Sequence, residues 1–409
     1  MTEDALTETG GRAVTELRAT AATPVPGTGM LLRILRDGRP RTRSELASLT
    51  GLARSTVTQR VDALLDGGFI GPAGEAVSTG GRPPTTFSFR PDARVVLAAD
   101  LGATHTRLAL TDMSGEVLAE ERVDLEIAAG PETVLDWVLD NGRALLDRVG
   151  REESALLGLG LGLPGPVQHT TGRAVNPPIM PGWDHFDVPG YVKARLDVPV
   201  LVDNDVNIMA VGEHHVAWPA ASHLMFVKVA TGIGSGIVSE GRVYRGAQGA
   251  AGDMGHIHVP RGADKLCRCG NTGCLEAIAS GAALAELLDA EGEPAASARD
   301  VVTLSRQGSV PALRALRQAG RDIGEVLAAS VNMFNPSVIV IGGALALAGD
   351  HLLAGVREVI YQRSLPLATE HLSIVSSAAG ESAGVIGAAV LVVEHCLSPE
   401  HADALVNGT

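Results

Sequence analysis

Three of the four cysteines fall within eight positions, Cys267, Cys269 and Cys274 of "KLCRCGNTGCLE", with His256 and His258 upstream and Asp253 and Glu276 on either side. Such a cluster is not a disulfide framework, and in a reducing compartment the thiols stay available to a metal. Three thiolates and one imidazole complete a tetrahedron with no open position, the arrangement of a structural zinc site. His256 is the expected fourth ligand, because His258 lies in the alternating, strand-like "IHV". Holding one nitrogen of His256 on zinc fixes the direction of the other, and the Asp253 and Glu276 carboxylates beside it suit the vicinal hydroxyls of a sugar. The cluster is then both a clamp on the fold and the back wall of a pocket. Cys396, in the apolar run "AAVLVVEHC", reads as a plain buried thiol.

A second constellation lies in "VPVLVDNDVNIMAVGE", where an apolar strand finishes on Asn204 and Asp205 and a helix begins. An aspartate at that junction either accepts a hydroxyl proton during phosphoryl transfer or caps the helix. Around it, "RVVLAADLGATHTRLALTD" gives a strand ending on Asp100, a turn through Gly102 and Thr104, and a returning strand. The turn's backbone N–H groups and the Thr104 hydroxyl are fit to hold phosphate oxygens. "LMFVKVATGIGSGIVSEGRVY" repeats the design through Thr231, Gly232 and Gly234, and "VIVIGGALA" supplies a third glycine-rich crossing. No G-K-[ST] follows, so this is not a Walker loop. The order of the three turns predicts two similar lobes closing over a nucleotide.

These elements need a large body, and at 409 residues the chain is long enough for two or three domains. Its formal charge of −14 argues against the whole chain binding a polyanion, but the charge is unevenly spread. Between Gly27 and Arg94 there are ten arginines against six acidic residues, a net of +4, whereas residues 95–409 carry a net of −16. A small basic module on a large acidic body is the charge pattern of a DNA-binding head on a ligand-binding domain. No stretch of eighteen apolar residues occurs and the N-terminus is polar and acidic, which predicts a cytoplasmic protein without a membrane span or secretory signal.

The basic stretch predicts three helices and a hairpin. Met30, Leu31, Ile34 and Leu35 carry the first helix; Thr42 and Glu45 form a capping box before the second, whose buried face is Leu46 and Leu49; Gly51 supplies the turn. In the third, Val57, Val61, Leu64 and Leu65 share one side. That leaves Arg54, Ser55, Thr56, Thr58, Gln59 and Arg60 for phosphates and base edges in a major groove. "STGGRPPTTFSF" reads as a wing whose tip carries Arg82 toward a minor groove. A helical protein-interaction module is the alternative; the positive charge and the glycine-flanked arginine favour a winged helix-turn-helix.

In order along the chain, "DLGATHTR", "GLPGPV", "PGW", "NDVN…GE", "TGIGSGI", "GAAGDMGH" and "CRCGNTGCLE" resemble the ROK family of repressors, open-reading-frame products and sugar kinases, over roughly residues 95–395. With the head, the chain resembles a ROK transcriptional regulator. The resemblance implies an α/β fold, an actin-like ATPase (duplicated ribonuclease H-like) two-lobe domain preceded by an α+β winged helix-turn-helix. The divisions expected are a flexible tail at 1–26, the DNA-binding domain at 27–91 and a sugar-binding, kinase-like domain at 92–409. Within the last, lobe one covers about 95–218 with a C-terminal helix at about 382–397, and lobe two about 219–381. By the same resemblance Asn204, Asp205, His256 and Glu276, with Asp253, contact a sugar; Asp205 is the base if a kinase is active; and His256, Cys267, Cys269 and Cys274 bind zinc. Asp100, Gly102, Thr104, Thr231, Gly232 and Gly234 face nucleotide phosphates if a nucleotide is used.

Several positions depart from the kinases of that family. His105 stands where they carry a lysine, Asp253 replaces a glutamate, Ile179 replaces a sugar-contacting Asn, and Ala230, Ser235 and Ala344 replace glycines. The expectation is a sugar-responsive, operator-binding regulator, a repressor of carbohydrate metabolism, assembled as a homodimer or homotetramer with structural zinc. The rival is an ATP- and magnesium-dependent hexose kinase with an appended DNA-binding head.

Overall fold

The computed structural model describes residues 27–75 and 83–407, which divide into two compact units. The expected tail at 1–26 and the wing tip with Arg82 lie outside the described residues.

The smaller unit is built from α1 (Thr28–Leu35), β1 (Arg41–Thr42), α2 (Arg43–Thr50), α3 (Arg54–Asp66), β2 (Ile70–Glu75) and β3 (Thr85–Phe89), with its sheet in the order β1-β3-β2. Leu31, Leu32 and Leu35 of α1 pack with Leu46, Val57, Val61 and Leu64 in a small core. Thr42 accepts the Glu45 N–H while the Glu45 carboxylate takes the Thr42 N–H, which is the expected capping box, and Gly51 ends α2 at φ 68°, a conformation that favours glycine. Leu49, expected to be buried, is 59% exposed. The chain's closing helix, Pro399–Asn407, also belongs to this unit and not to the larger domain, where it was expected. Its Asp403 receives the backbone N–H of Gly27, Thr28 and Gly29 together with the Thr28 hydroxyl, so the open end of α1 is capped from the far end of the sequence.

The larger unit, Phe89–Ser398, repeats one topology twice. Its first half contains β4 (Val95–Leu101), β5 (Thr106–Asp112), β6 (Val117–Val123), α4 (Pro131–Val149), β7 (Leu156–Leu163), β8 (Val167–Gln168), β9 (Arg173–Ala174), α5 (Val188–Lys193), β10 (Val200–Asn204) and α6 (Asp205–Ala217). The second contains β11 (His223–Val229), β12 (Ile233–Ser239), β13 (Arg242–Val243), α7 (Glu276–Ala279), α8 (Gly281–Ala290), α9 (Ala298–Arg306), α10 (Val310–Phe334), β14 (Val338–Gly342), α11 (Asp350–Arg363), α12 (Pro366–Thr369), β15 (Ser373–Ser376) and α13 (Ala383–Cys396), after which α14 is the closing helix already described.

The two five-stranded sheets run β10-β7-β4-β5-β6 and β13-β12-β11-β14-β15. In each, the first strand is central, the next two form an antiparallel meander on one side, and the last two lie parallel on the other. That repetition is the duplicated ribonuclease H-like pattern of actin-like folds. β4, β5 and β7 are buried along their full lengths, the continuous apolar runs expected of strands covered on both faces.

Helices α6 and α13 cross between the sheets. Gly212 and Gly387 sit where a Cβ would strike Ala383 O and Ile208 O, so the two backbones touch. The buried Glu213 carboxylate holds the loop before α13, accepting from the Ser377 hydroxyl at 2.6 Å and from the N–H groups of Ala378 and Ala379 at 2.8 and 3.0 Å. Among the described residues no single helix is long and apolar enough to cross a membrane.

Candidate functional site: a thiol–imidazole cluster beside a charged interlobe cleft

Loop geometry brings the cluster together. His256 ends a single 3-10 turn (Met254–His256), while Leu266 and Thr272 bridge to form a short loop carrying Cys267 and Cys269. A second bridge, His258 to Cys274, joins the two segments. The ligand atoms of His256, Cys267, Cys269 and Cys274 all lie within 4.8 Å of one another. Nδ1 of His256 is 3.6 Å from Cys267 Sγ, and Cys269 Sγ is 3.7 Å from Cys274 Sγ. Zinc–sulfur bonds of about 2.3 Å at tetrahedral angles separate two sulfurs by roughly 3.8 Å, so the donor set fits a closed four-coordinate site. Burial pushes the Cys274 thiol up to about 12 and raises that of Cys267, whereas the Asn271 N–H lowers that of Cys269. Thiols raised in this way stay protonated unless a bound cation displaces the proton. Since Nδ1 faces the sulfurs, Nε2 of His256 is the nitrogen directed elsewhere.

The cluster is fastened to the neighbouring glycine turn. Glu276 opens α7 two positions after Cys274, and its Oε2 accepts the Ile233 N–H at 2.9 Å. A Cβ at Gly232 would collide with that oxygen. Beside them an open depression of about 360 Å³ is lined by Thr231, Cys267, Arg268, Glu276, Glu286 and Asp289 among others. Asp253 is exposed and does not cap its turn.

Asn204, not Asp205, caps α6: its Oδ1 accepts the Val206 N–H at 3.0 Å and its Nδ2 donates to Gly165 O at 2.9 Å. Asp205 is therefore spared that work. It is nevertheless engaged, because Lys228 Nζ lies 2.5 Å from its Oδ2 and both side chains are largely buried. Asp100, in the same half of the body as Asp205, is buried at the end of β4, and its Oδ1 has no hydrogen-bond partner among the described residues. Burial pushes Asp100 up to about 6, opposed by the Lys228 charge, reinforced by Asp205 and opposed again by Arg107. For Lys228 burial acts downward, and the Asp205 and Asp100 charges more than reverse it.

The glycine turns spend backbone donors internally. Gly102 N–H closes its turn on His105 O at 2.8 Å, and Ile233 N–H is taken by the Glu276 carboxylate. Thr104 and Thr231 are exposed, while Gly232 and Gly234 are half-buried.

In the head, Arg54, Ser55, Thr58 and Gln59 are exposed along one side of α3, and Thr56 is half-buried. Arg60 is half-buried too, with its guanidinium lying over Gly27 at the start of α1, so it braces the head.

Three features escaped the sequence reading: Lys228, Glu213, and a buried pair in which Arg245 Nε donates to Asp203 at 2.7 Å. Each had a local signal, since a charged residue within an apolar strand or a buried helix face demands a partner.

Comparison with known proteins is consistent over both units. The winged helix-turn-helix DNA-binding profile matches residues 29–70 and the ROK family profile residues 96–395. A xylose repressor of Caldicellulosiruptor bescii is 30% identical over 91% of this chain and 97% of its own length. A glucokinase of Halalkalibacterium halodurans is 31% identical over 73% of this chain and 95% of its own. The crystal structure of a ROK family transcriptional regulator, a homologue of the E. coli MLC protein, superposes with a TM-score of 0.79 at 26% identity, covering 94% of this chain and 99% of that one. Both the matched span and the duplicated two-lobe architecture place the protein: it belongs to the ROK family.

Proposed function

We propose that this protein is a cytoplasmic, sugar-responsive transcription regulator, a repressor of carbohydrate metabolism that binds operator DNA as a homo-oligomer and takes a sugar or sugar derivative between its lobes. The observation that carries the reading is that one chain joins a winged helix-turn-helix to a ROK body. The xylose repressor is matched across both parts, whereas the glucokinase match covers only 73% of the chain. In this reading Arg54, Ser55, Thr56, Thr58 and Gln59 meet the operator, with Arg82 at the wing. Arg60 acts by supporting α1.

His256, Cys267, Cys269 and Cys274 hold a structural zinc, which supplies no reaction step and fixes the His256 ring. Nε2 of His256, Asp253, Asn204, Asp205 and Glu276 then offer directed donors and carboxylates to sugar hydroxyls. Lobe closure on a ligand shifts the chain between two forms only as far as the ligand prefers one of them. The kinase reading retains Asp100, Thr104 and Asp205, but the occupied donors of its phosphate turns and the Lys228–Asp205 pair weigh against it.

Selection of bound fragments from genomic DNA followed by footprinting, with and without a panel of monosaccharides, tests the proposal. A protected site that one sugar releases supports it. Protection unchanged by every sugar and sugar phosphate removes the sensor.

A further inference from the structure

Lys228 places a permanent cation at the meeting point of the two lobes. Its partners in the sheet are Gly234, in the strand that follows the Thr231 turn, and Gly342, at the third glycine crossing. Along β11, Met225, Val227 and Val229 belong to the core on one face, while Leu224 and Phe226 pack with Val206 and Met209 of α6 on the other. Strand alternation puts Lys228 on the α6 side, where its ammonium meets Asp205 in the first turn of that helix.

Asp100 comes from the same lobe as Asp205: β4 pairs with β7 at Gly162, where an added Cβ would lie 3.4 Å from the Asp205 Cα. Asp100 is 9% exposed, its Oδ1 is unpartnered among the described residues, and its carboxylate favours the charged form of Lys228. The space its carboxylate fills exists only because residue 384 is glycine, where a Cβ would overlap it. Two carboxylates at strand ends of one sheet, one with an unsatisfied acceptor, are a hard-donor arrangement of the kind that takes a divalent cation. Phosphoryl transfer requires such a cation to bridge and neutralise the nucleotide phosphates.

We propose that the Lys228 ammonium is a built-in replacement for a divalent cation between Asp100 and Asp205, and that it makes the cleft unreceptive to a metal–nucleotide complex. A second cation beside the ammonium meets like-charge repulsion in a poorly solvated site. The residues present therefore do not fit a magnesium–nucleotide. Lys228 is a specificity-determining residue that disfavours metal–nucleotide complexes in the cleft. This inference does not depend on which sugar binds, or on whether binding alters DNA affinity.

Manganese(II) alone is the probe. The full chain, Lys228→Met and Lys228→Gln are titrated with Mn²⁺ while unbound ion is followed by electron paramagnetic resonance. Both variants are expected to capture one ion per chain at least about tenfold more tightly than the unaltered protein. Adding Asp100→Asn to Lys228→Met should abolish that gain, and Lys228→Arg should behave as the unaltered chain. Variants with no gain, or a gain that survives Asp100→Asn, overturn the proposal. The unaltered chain also decides without those variants: Mn²⁺ capture that Asp100→Asn removes contradicts the proposal, and absence of such capture supports it. Neither DNA nor sugar enters the measurement, so failure of the sensor reading leaves its outcome untouched.

Discussion

Glu276 is bonded to the backbone of Ile233, which ties the thiol–imidazole cluster to the glycine turn of the second lobe. Glu276→Ala leaves a buried N–H without its acceptor, and a loss of about 1–3 kcal/mol in the unfolding of the body is expected by urea titration. Glu276→Gln retains a carbonyl acceptor at the same reach and should recover part of that loss. Equal destabilisation by both would show that charge, and not the hydrogen bond, is what the turn requires.

Loss of the proposed zinc should act on the proposed sugar site before it acts on the head. Elemental analysis is expected to find one zinc per chain, and Cys269→Ser, at the exposed ligand, to lose it. Sugar affinity measured by calorimetry should then fall about tenfold or more, because His256 loses its fixed direction. The folding of the head should be unchanged, since its core contains no residue of the cluster.

The cap at the start of α1 predicts a pH dependence. Burial alone raises the Asp403 pKa, but the Thr28 hydroxyl and the N–H groups of Gly27, Thr28 and Gly29 outweigh it and hold the carboxyl below its ordinary range. A depressed folded-state pKa contributes stability that is complete above the unfolded value and is lost as pH falls through the folded one. Head stability followed by circular dichroism should therefore decline below about pH 4, and Asp403→Ala should remove about 1 kcal/mol at neutral pH together with that acid dependence.

Asp100 predicts the opposite sign. A carboxyl raised to about 6 by burial keeps its proton longer in the folded protein than in the unfolded chain. Its contribution is most favourable in acid and diminishes as pH rises through about 6. The stability profile of Asp100→Asn should lack this inflection; its persistence near pH 6 would assign it to another group.

On DNA, Arg54→Ala is expected to weaken operator and non-operator binding alike and to reduce the salt slope by about one. Gln59→Ala should cost about 1–3 kcal/mol at the operator alone if its amide reads a base edge. Anisotropy titrations at several salt concentrations separate the two.

What the sequence revealed was local. The capping box at Thr42 and Glu45, the Gly51 turn and the metal-binding spacing of Cys267, Cys269 and Cys274 each lie within eight residues, where chain geometry leaves few outcomes. Hidden from it were pairs joined only by the completed fold. Asp403 meets Thr28 across 375 positions, and Lys228 meets Asp205 across two lobes. Arg60 shows the same limit on a smaller scale: helical periodicity put it on the polar side of α3, but the start of α1 lies over it. Leu49 departs differently, for its position one residue before the end of α2 leaves it in solvent.

The direct test of the account is operator affinity measured by anisotropy while titrating the monosaccharide that most raises the melting temperature of the full chain. The account predicts a change in Kd of about tenfold or more that disappears in Cys269→Ser and in Asn204→Ala. A sugar that binds the unaltered protein and leaves operator affinity the same would contradict it.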